Sequence, residues 1–221
     1  MEARSLILNE NYDTALNHWT LASCLVTKAE QIQSFIDVPG RYTPLDVSTY
    51  LTDGQPYYGN ATLEAALESS EGTHKEREER IFNMINELDG KNIKITLPDY
   101  LDWYMVGRVQ IFRQYNDLAH CSVLLTAVCE PWMYYANEET SKLAVLSGTR
   151  TAVITYKGRL PVVPKVSLAA EATITFNGNT ATLSAGTYVL PWLYLLPGEN
   201  SITYSSSGQI SFKYRKAVLA G

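Results

Sequence analysis

Apolar residues recur at every second position in two segments of the chain. Residues 92–97 place Ile93, Ile95 and Leu97 on one face. In residues 121–129 the repeating positions are Cys121, Val123, Leu125, Ala127 and Cys129. A period of two is the pattern of a β-strand whose sheet has one covered face. The sequence therefore predicts a mainly β fold.

One helix is expected against this β-rich background. Thr73 with Glu76 three residues later fits a capping box, and Gly90 supplies a stop. Between them, helical spacing is kept by Ile81, Met84, Ile85 and Leu88. Residues 75–80, KEREER, are interpreted as the solvated face of this amphipathic helix. The fold class is thus β-rich with one principal α-helix.

A change of composition divides the chain into two domains. After PWMYY at 131–135 the residues become small and polar, and short β segments follow. We place the boundary between about 136 and 150. The prediction is an N-terminal, β-sandwich-like domain over 1–140 and a small all-β sandwich over 150–221.

Two turns are predicted inside the C-terminal domain. Asn177-Gly178 lies between Thr-rich alternating runs and is a strong signal for a two-residue hairpin. The residues SSSG at 205–208 separate SITY from QISFKYR, and we interpret them in the same way.

Composition and charge exclude several classes of function. With 46% hydrophobic and 19% charged residues the chain is an ordinary globular protein. Its net charge is −5 and it has no basic stripe, so neither nucleic acid nor a membrane surface is an expected partner. No apolar run reaches the roughly 20 residues of a membrane helix. The N-terminus has too few apolar residues for a signal peptide, so we expect folding in the cytosol of the producing cell.

No pattern of residues indicates catalysis, a metal or a cofactor. Cys24, Cys121 and Cys129 lack metal or redox spacing and are expected to be buried, reduced thiols. The three histidines occur in no metal-binding or triad frame: they are His18, His74 and His120. Phosphate-binding and nucleophile-elbow motifs are also absent from the sequence. We therefore predict that the protein is not an enzyme.

Asp99 and Asp102, in PDYLDW, are the best carboxylate pair in the chain. With Trp103 and Tyr104 nearby they are compatible with glycoside hydrolysis or with sugar contact. The alternative is a turn, since proline fixes φ and Asp bonds its own backbone after an alternating strand. The turn is the preferred interpretation.

Tyrosines are concentrated in two turn-rich stretches. Residues 54–60, GQPYYGN, are interpreted as a tight turn with positive φ at Gly59 or Asn60 that presents Tyr57 and Tyr58. Exposed aromatic rings are common at protein interfaces. The candidate subunit interface consists of Tyr57, Tyr58, Asn60, Tyr100 and Trp103. The alternative is that both tyrosine rings cap the local core.

The order of these signals resembles a known family. The first half of the chain resembles the N-terminal domain of the distal tail proteins of bacteriophages with long, non-contractile tails. The resemblance is carried, in this order, by an N-terminal strand, VPGRYTPLDVSTYLTDGQPYYGNATLE, a capped helix, DGKNIKITLPDYLDWYMVGRVQI and CEPWMYY. The second half of the chain is similar to the galectin-like β-sandwich of that family. The segments that carry this similarity are KGRLPVVPKVSL, FNGNTATLSAGTYVL and LLPGENSITYSSSGQISFKYRKAVL. The resemblance spans nearly the whole chain.

The resemblance implies a structural function at the virion tail tip. It implies a homohexameric ring that joins the tail tube to the tail-associated baseplate protein, and in some members to receptor-binding components. It implies no metal, cofactor or catalytic residue. A ring made by rotation needs two different complementary patches on each subunit.

A carbohydrate-binding module is the alternative. It is suggested by the galectin-like sequence of residues 151–221 and by Trp192 and Tyr194, which we expect to be exposed. Against it, this half of the chain contains no histidine, and no inserted carbohydrate-binding module fits between the landmarks.

Overall fold

The computed structural model describes residues 5–50, 52, 54–143 and 145–221. The chain folds into two compact units. Unit 1 runs from the N-terminal residues through Met133 and includes Leu219–Gly221, and unit 2 is Tyr134–Val218. This division lies a few residues before the 136–150 boundary predicted from composition, which stays a prediction for limited proteolysis.

Unit 1 is built on one broad antiparallel sheet. Its elements are β1 (Ile7–Leu8), β2 (Tyr12–Asp13), β3 (Thr20–Thr27), β4 (Phe35–Ile36), β5 (Leu45–Asp46), β6 (Ala61–Ser69), α1 (His74–Leu88), β7 (Asn92–Thr96), β8 (Trp103–Asn116) and β9 (Cys121–Tyr135), of which β9 belongs to this unit through Met133. The late strand β18 (Ala217–Leu219) contributes Leu219 to it. The strand order is β2-β1-β7-β8-β9-β6-β3, and β18 pairs with β9. β4 and β5 form a separate two-stranded ladder.

One face of the large sheet is buried. The predicted alternation is confirmed in β7, where Ile93 and Ile95 are buried, and in β9, where all five predicted positions from Cys121 to Cys129 are buried. β6 buries alternate residues in the same way. The mainly β class with one principal helix is confirmed.

Helix α1 begins and ends where the sequence predicts. The Glu76 N–H donates to Thr73 Oγ1 at 3.3 Å, and the Thr73 N–H donates to the Glu76 carboxylate at 2.6 Å. These bonds from Thr73 hold the pKa of Glu76 below its usual value. Gly90 has φ of +72° just beyond the helix. The buried apolar face is formed by Ile81, Met84 and Leu88.

The solvated-face interpretation of 75–80 is wrong for one residue. Arg77 is only 2% exposed. Its guanidinium donates to the carbonyls of Gly72, Asp117 and Leu118. Because two of these acceptors, the carbonyls of Asp117 and Leu118, lie on a loop about 40 residues away in sequence, the helix periodicity alone does not reveal them.

Unit 2 is a sandwich of two four-stranded sheets. Its strands are β10 (Glu139–Leu143), β11 (Leu146–Tyr156), β12 (Lys165–Leu168), β13 (Ala172–Phe176), β14 (Asn179–Leu183), β15 (Gly186–Val189), β16 (Gly198–Ser206) and β17 (Ile210–Tyr214). The orders are β10-β17-β12-β15 and β11-β16-β13-β14. Both sheets contribute to one core, which includes Val166, Ile174, Ile202 and Phe212.

The two predicted turns of unit 2 have different outcomes. Asn177 and Gly178 have φ of +47° and +80° and join β13 to β14 with Phe176 opposite Asn179, so this hairpin is confirmed. The prediction for 205–208 is wrong, because β16 and β17 belong to different sheets. Ser206 Oγ donates to the Glu171 carbonyl and accepts the Gly208 N–H. These bonds fix the connection through which the chain passes from the sheet of β16 to the sheet of β17.

Gly107 is required by the close approach of β8 to β9. A Cβ there would lie 2.4 Å from Cys129 Sγ and 2.9 Å from the Val128 carbonyl oxygen. We expect Gly107→Ala to lower the free energy of unfolding by about 1–3 kcal/mol through overpacking. Gly59→Ala is the control, since a Cβ at Gly59 meets nothing closer than 3.8 Å. Urea denaturation followed by circular dichroism measures both, and equal stability of the two variants would contradict the account.

Candidate subunit and partner surfaces

The predicted interface residues lie at one end of the unit 1 sheet. Tyr57, Tyr58 and Asn60 precede β6, whereas Tyr100 precedes β8 and Trp103 begins it. β6 pairs antiparallel with β9, and the four-residue connection 117–120 makes β8 an antiparallel neighbour of β9 on its other side. The first residues of β6 and β8 therefore lie at the same end of the sheet. We call these five residues the aromatic end.

The backbone at 57–59 is extended and does not form the predicted tight turn. Gly59 N–H donates to the Glu30 carbonyl, and Ile32 N–H donates to the Tyr57 carbonyl, both at 2.9 Å. Neither Gly59 nor Asn60 has positive φ, so that prediction is wrong. The segment pairs with residues 30–32, and the turn before it uses Gly54 at φ +81°.

The two adjacent tyrosines have different environments. Tyr57 is 58% exposed, whereas Tyr58 is half-buried and packs edge-on against Trp132 with ring centroids 5.7 Å apart. Of the two interpretations from sequence, capping of the core therefore fits Tyr58. Tyr57 is the exposed ring of the two.

We expect these tyrosines to respond differently to substitution. Tyr58→Ser removes the contact with Trp132 and should lower the free energy of unfolding by about 1–3 kcal/mol. Tyr57→Ser should leave the melting temperature close to that of the wild type and weaken self-association. Calorimetry and light scattering on each variant separate these effects. A large loss of stability in Tyr57→Ser alone would contradict the assignment.

The loop before β8 consists of two successive turns. Tyr100 N–H donates to the Leu97 carbonyl at 3.1 Å, and Trp103 N–H donates to the Tyr100 carbonyl at 2.9 Å. The turn predicted at Pro98-Asp99 is confirmed. The turns leave Tyr100 exposed beside Asp99 and Asp102.

Sequence reasoning missed a second apolar surface, which we call the arm. The arm is the described part of residues 30–57 and contains the β4–β5 ladder. Ser48 Oγ accepts the Ser34 N–H at 2.8 Å and bonds the Asp46 carboxylate, which fixes the base of the ladder. Its exposed large apolar residues are Ile32, Phe35, Ile36, Val38, Tyr42, Leu45, Tyr50 and Tyr57. A concentration of this kind marks an interaction surface.

Besides its two-residue end strand β2, the large sheet has two longer strand edges with no described strand beside them, which we call its open edges. β3 is its last strand, and β8 continues to Asn116 although its pairing with β7 stops at Arg108. Among the described residues, no strand lies beside residues 112–116 on the β7 side. Leu25 on β3 is 61% exposed and Phe112 on β8 is 49% exposed. Both point away from the buried face, since Leu25 lies opposite the exposed Glu64 and Phe112 follows the buried Ile111.

The cysteines were predicted to be buried, which is wrong for one of them. Cys121 and Cys129 are buried, and burial raises the pKa of the Cys129 thiol to about 11. Cys24 is only half-buried because it lies on the edge strand β3. In the described part of the chain, no group of three or more His, Cys, Asp or Glu side chains is placed to hold a metal ion.

The exposure predicted for Trp192 and Tyr194 is also wrong. Both are half-buried, Trp192 against the unit 2 core and Tyr194 edge-on to Phe176 at 6.1 Å between ring centroids. Of the helices in the described residues, none is long and apolar enough to cross a membrane.

Solved structures with the same arrangement come from phage tails. No protein-family model and no curated protein sequence matches the chain. The crystal structure of the SPP1 Dit (gp 19.1) protein, titled a paradigm of the hub adsorption apparatus in phages that infect Gram-positive bacteria, matches with a TM-score of 0.71 at 13% identity. The match covers 97% of this chain and 99% of that one. The chain has the fold of a phage distal tail protein.

Baseplate structures show the same fold with lower similarity. A chain of the phage P2 baseplate in its activated conformation with Ca matches with a TM-score of 0.51 at 8% identity, over 95% of this chain and 97% of that one. The baseplate structure with Sr gives 0.50 at 10% identity, over 96% and 98%. The resemblance to distal tail proteins predicted from sequence is confirmed as a shared fold.

Proposed function

We propose that this chain is a structural hub at the distal tip of a phage tail. It forms a homohexameric ring that joins the tail tube to the tail-associated baseplate protein and catalyses no reaction. The observation that carries the proposal is the match to the SPP1 hub protein over both units of the chain. The arm, the aromatic end and the two open edges supply the contacts that such a ring needs.

The open edges of unit 1 suit a ring made by rotation. A heterologous ring joins one patch of each subunit to a different patch of the next subunit. β3 supplies one patch, and the final residues of β8 supply the other. When they pair, Leu25 of one subunit and Phe112 of the next lie on the same face of a continuous sheet. Pairing also removes the aggregation hazard of two exposed edges.

The arm and the aromatic end extend this contact. Eight large apolar residues of the arm are exposed in the single chain, and Tyr57 connects the arm to the aromatic end. Burial of this surface contributes roughly 25 cal/mol per Å² of apolar area. The pairing of strand edges sets the register of the ring, and the arm supplies apolar contact area.

The remaining parts of the proposal concern partners and location. The ring is assembled in the cytoplasm of the bacterial host and resides at the virion tail tip, in contact with the tube, the baseplate and in some assemblies a receptor-binding protein. The sugar-binding alternative loses its main support because Trp192 and Tyr194 pack against unit 2 residues.

Light scattering over a concentration series tests the ring. A hexamer of the 24.7 kDa chain has a mass of about 148 kDa. The balance between monomer and hexamer should follow mass action. A protein that remains monomeric at the highest concentration, and stays so after its tail partners are added, would contradict the proposal.

A further inference from the structure

The two units of the chain carry opposite net charge. Residues 134–218 contain eight Lys or Arg and four Asp or Glu, a net charge of +4. The rest of the sequence contains ten Lys or Arg and nineteen Asp or Glu, a net charge of −9. The total of −5 therefore conceals a cationic unit 2, and a charge asymmetry of this kind indicates a charged partner.

Part of this positive charge lies on the outer face of one sheet of unit 2. In the sheet β10-β17-β12-β15, Val166 and Leu168 of β12 and Ile210 and Phe212 of β17 belong to the core. Because side chains alternate along a strand, the residues between and beside them point outward. We call this outer surface the lysine face, and it consists of Lys142, Lys165, Ser167, Thr187, Ser211 and Lys213.

The strand register brings lysines from three strands together. Lys165 of β12 lies directly opposite Lys213 of β17, and Lys142 of β10 lies opposite Ser211. Directly opposite side chains have Cβ atoms about 5 Å apart, and diagonal neighbours are about 7–8 Å apart. Because the three lysines are distant in the sequence, no basic stripe is visible there.

The charge of this face is only partly compensated within the molecule. Like charges directly opposite each other in a sheet are destabilising. Lys213 Nζ lies 3.8 Å from Glu138 Oε2. Lys142 and Lys165 are exposed, and neither forms an ion pair with a carboxylate of the described residues. Two cations of the face are therefore available to an external anion.

The outer face of the other sheet of unit 2 is different. Its strands β11, β13, β14 and β16 contain no lysine. Thr151 and Thr203 are joined there by a hydroxyl hydrogen bond of 3.0 Å, and Thr175 and Thr180 by one of 2.9 Å. The lysines thus distinguish one face of the sandwich from the other.

Hydroxyl groups lie beside the lysines. Ser211, Ser167 and Thr187 are neighbours in one row across β17, β12 and β15. Ser167 Oγ lies 3.1 Å from Thr187 Oγ1. Serine and threonine hydroxyls can donate to a phosphate oxygen and can also accept from a hydroxyl of a ligand. The lysine face therefore offers both charge and hydrogen bonds to a ligand that carries phosphates and hydroxyls.

The residue types favour a phosphate chain over an acidic protein. Arg matches a planar carboxylate with two parallel hydrogen bonds, whereas Lys binds phosphate as a point charge. Protein interfaces are depleted of Lys and enriched in Arg and aromatic residues. The six residues of the lysine face include neither Arg nor an aromatic residue. Single-stranded nucleic acid is disfavoured for the same reason, since its bases find no ring on which to stack.

The position of the cations fits an extended ligand. Small molecules bind in concave sites, whereas the lysine face is the outer surface of a sheet. Neighbouring strands are about 4.8 Å apart, so β10 and β12 place their lysines about 10 Å apart across the sheet. This separation exceeds the width of one phosphate group, and a chain with successive phosphates spans it.

We propose that the lysine face binds a flexible phosphodiester polymer with a polyol backbone, of the class carried by bacterial surfaces. Successive phosphates contact Lys142, Lys165 and Lys213, and the polyol contacts the row of Ser and Thr hydroxyls. This binding activity goes beyond the proposed function and does not require the ring. In a ring, identical faces on all subunits strengthen a weak contact.

Binding of the full-length protein to immobilised poly(glycerol phosphate) tests the inference. Lys142→Gln with Lys165→Gln removes two cations of the face and leaves no carboxylate unpaired. Arg150→Gln with Lys157→Gln is the control, because it removes the same charge from exposed positions elsewhere in unit 2. We expect the first variant to lose about tenfold or more in affinity and the control less than about twofold.

Salt and temperature provide two further measurements. Three phosphate contacts predict that the logarithm of affinity falls with the logarithm of salt concentration with a slope of about −2, and one remaining contact predicts about −0.7. The polymer should raise the melting temperature of the wild type and not of the double-lysine variant. Without polymer, Lys165→Gln should melt no lower than the wild type, because it removes a like charge opposite Lys213.

Each contrary outcome overturns the inference in a recognisable way. Equal losses in both double variants would show that only net charge matters, and unchanged binding by the double-lysine variant would reject the face. Tighter binding of the wild type to poly-glutamate or to a DNA oligonucleotide of equal charge would assign the face to an acidic protein or to nucleic acid. A protein that binds poly(glycerol phosphate) but forms no ring contradicts the proposed function alone, whereas a ring that does not bind it contradicts only this inference.

Discussion

Arg77→Leu is expected to lower the free energy of unfolding by about 3 kcal/mol or more. The substitution leaves the carbonyls of Gly72, Asp117 and Leu118 without their buried donor. These hydrogen bonds are part-buried, and each bond from a charged donor contributes about 1.5–3 kcal/mol, so the loss of several of them together gives the expected decrease. Urea denaturation followed by circular dichroism measures the change.

Two variants control for this prediction. Lys75→Leu alters a cation on the exposed face of the same helix and should change stability by less than about 0.5 kcal/mol. Arg77→Lys retains the charge but cannot reach all of the acceptors with one ammonium, so an intermediate loss is expected. Wild-type stability of Arg77→Leu would show that the guanidinium does not hold the loops together.

The largest effect on assembly is expected from charge placed at the open edges. Leu25→Lys lies opposite Glu64 within its own sheet, so the isolated chain should remain stable. Leu25→Lys with Phe112→Lys sets like charges opposite each other across the proposed subunit contact and should abolish the hexamer. Loss of an anchoring aromatic contact is worth about 2 kcal/mol or more at each interface.

A charge exchange makes this prediction specific. Leu25→Lys with Phe112→Glu restores attraction across the same contact and should recover part of the hexamer at concentrations where the double-lysine variant is monomeric. Mass photometry of the three variants at matched concentrations gives the populations. Equal hexamer content in both double variants would show that β3 and β8 do not meet between subunits.

Local patterns in the sequence were sufficient for part of the fold. The capping box at Thr73, the helix stop at Gly90, the alternation in β7 and β9 and the Asn177-Gly178 hairpin depend on contacts close in sequence, and all were predicted. Such signals are reliable because the residues that specify the element are also the residues that form it.

The errors came from contacts between distant segments. Gly59 needs no positive φ because residues 30–32 pair with its segment, and Arg77 is buried because loops from distant parts of the chain surround it. The residues of 205–208 have turn composition, but the buried faces of two sheets decide that β16 and β17 separate. None of these contacts can be predicted from the residues immediately before and after the segment in the sequence.

The candidate surfaces were only partly predictable. The exposure of the Tyr57 and Tyr100 rings could be predicted, because both residues lie in segments rich in turn-forming residues. The arm and the open edges required the strand order, because an edge is defined by the partner it lacks. The Val38-Pro39 and Thr43-Pro44 pairs of the arm were a usable signal, since proline favours edges and loops over central strands.

Imaging of intact tails tests the central claim most directly. A tag at Gly221 of the protein, expressed during phage or prophage production and located by electron cryomicroscopy, should appear once per tail, at the tip, as a six-fold ring between the tube and the baseplate. Quantitative mass spectrometry of the same particles should give six copies per tail. Label distributed along the tube, or complete virions that lack the protein, would contradict the hub function.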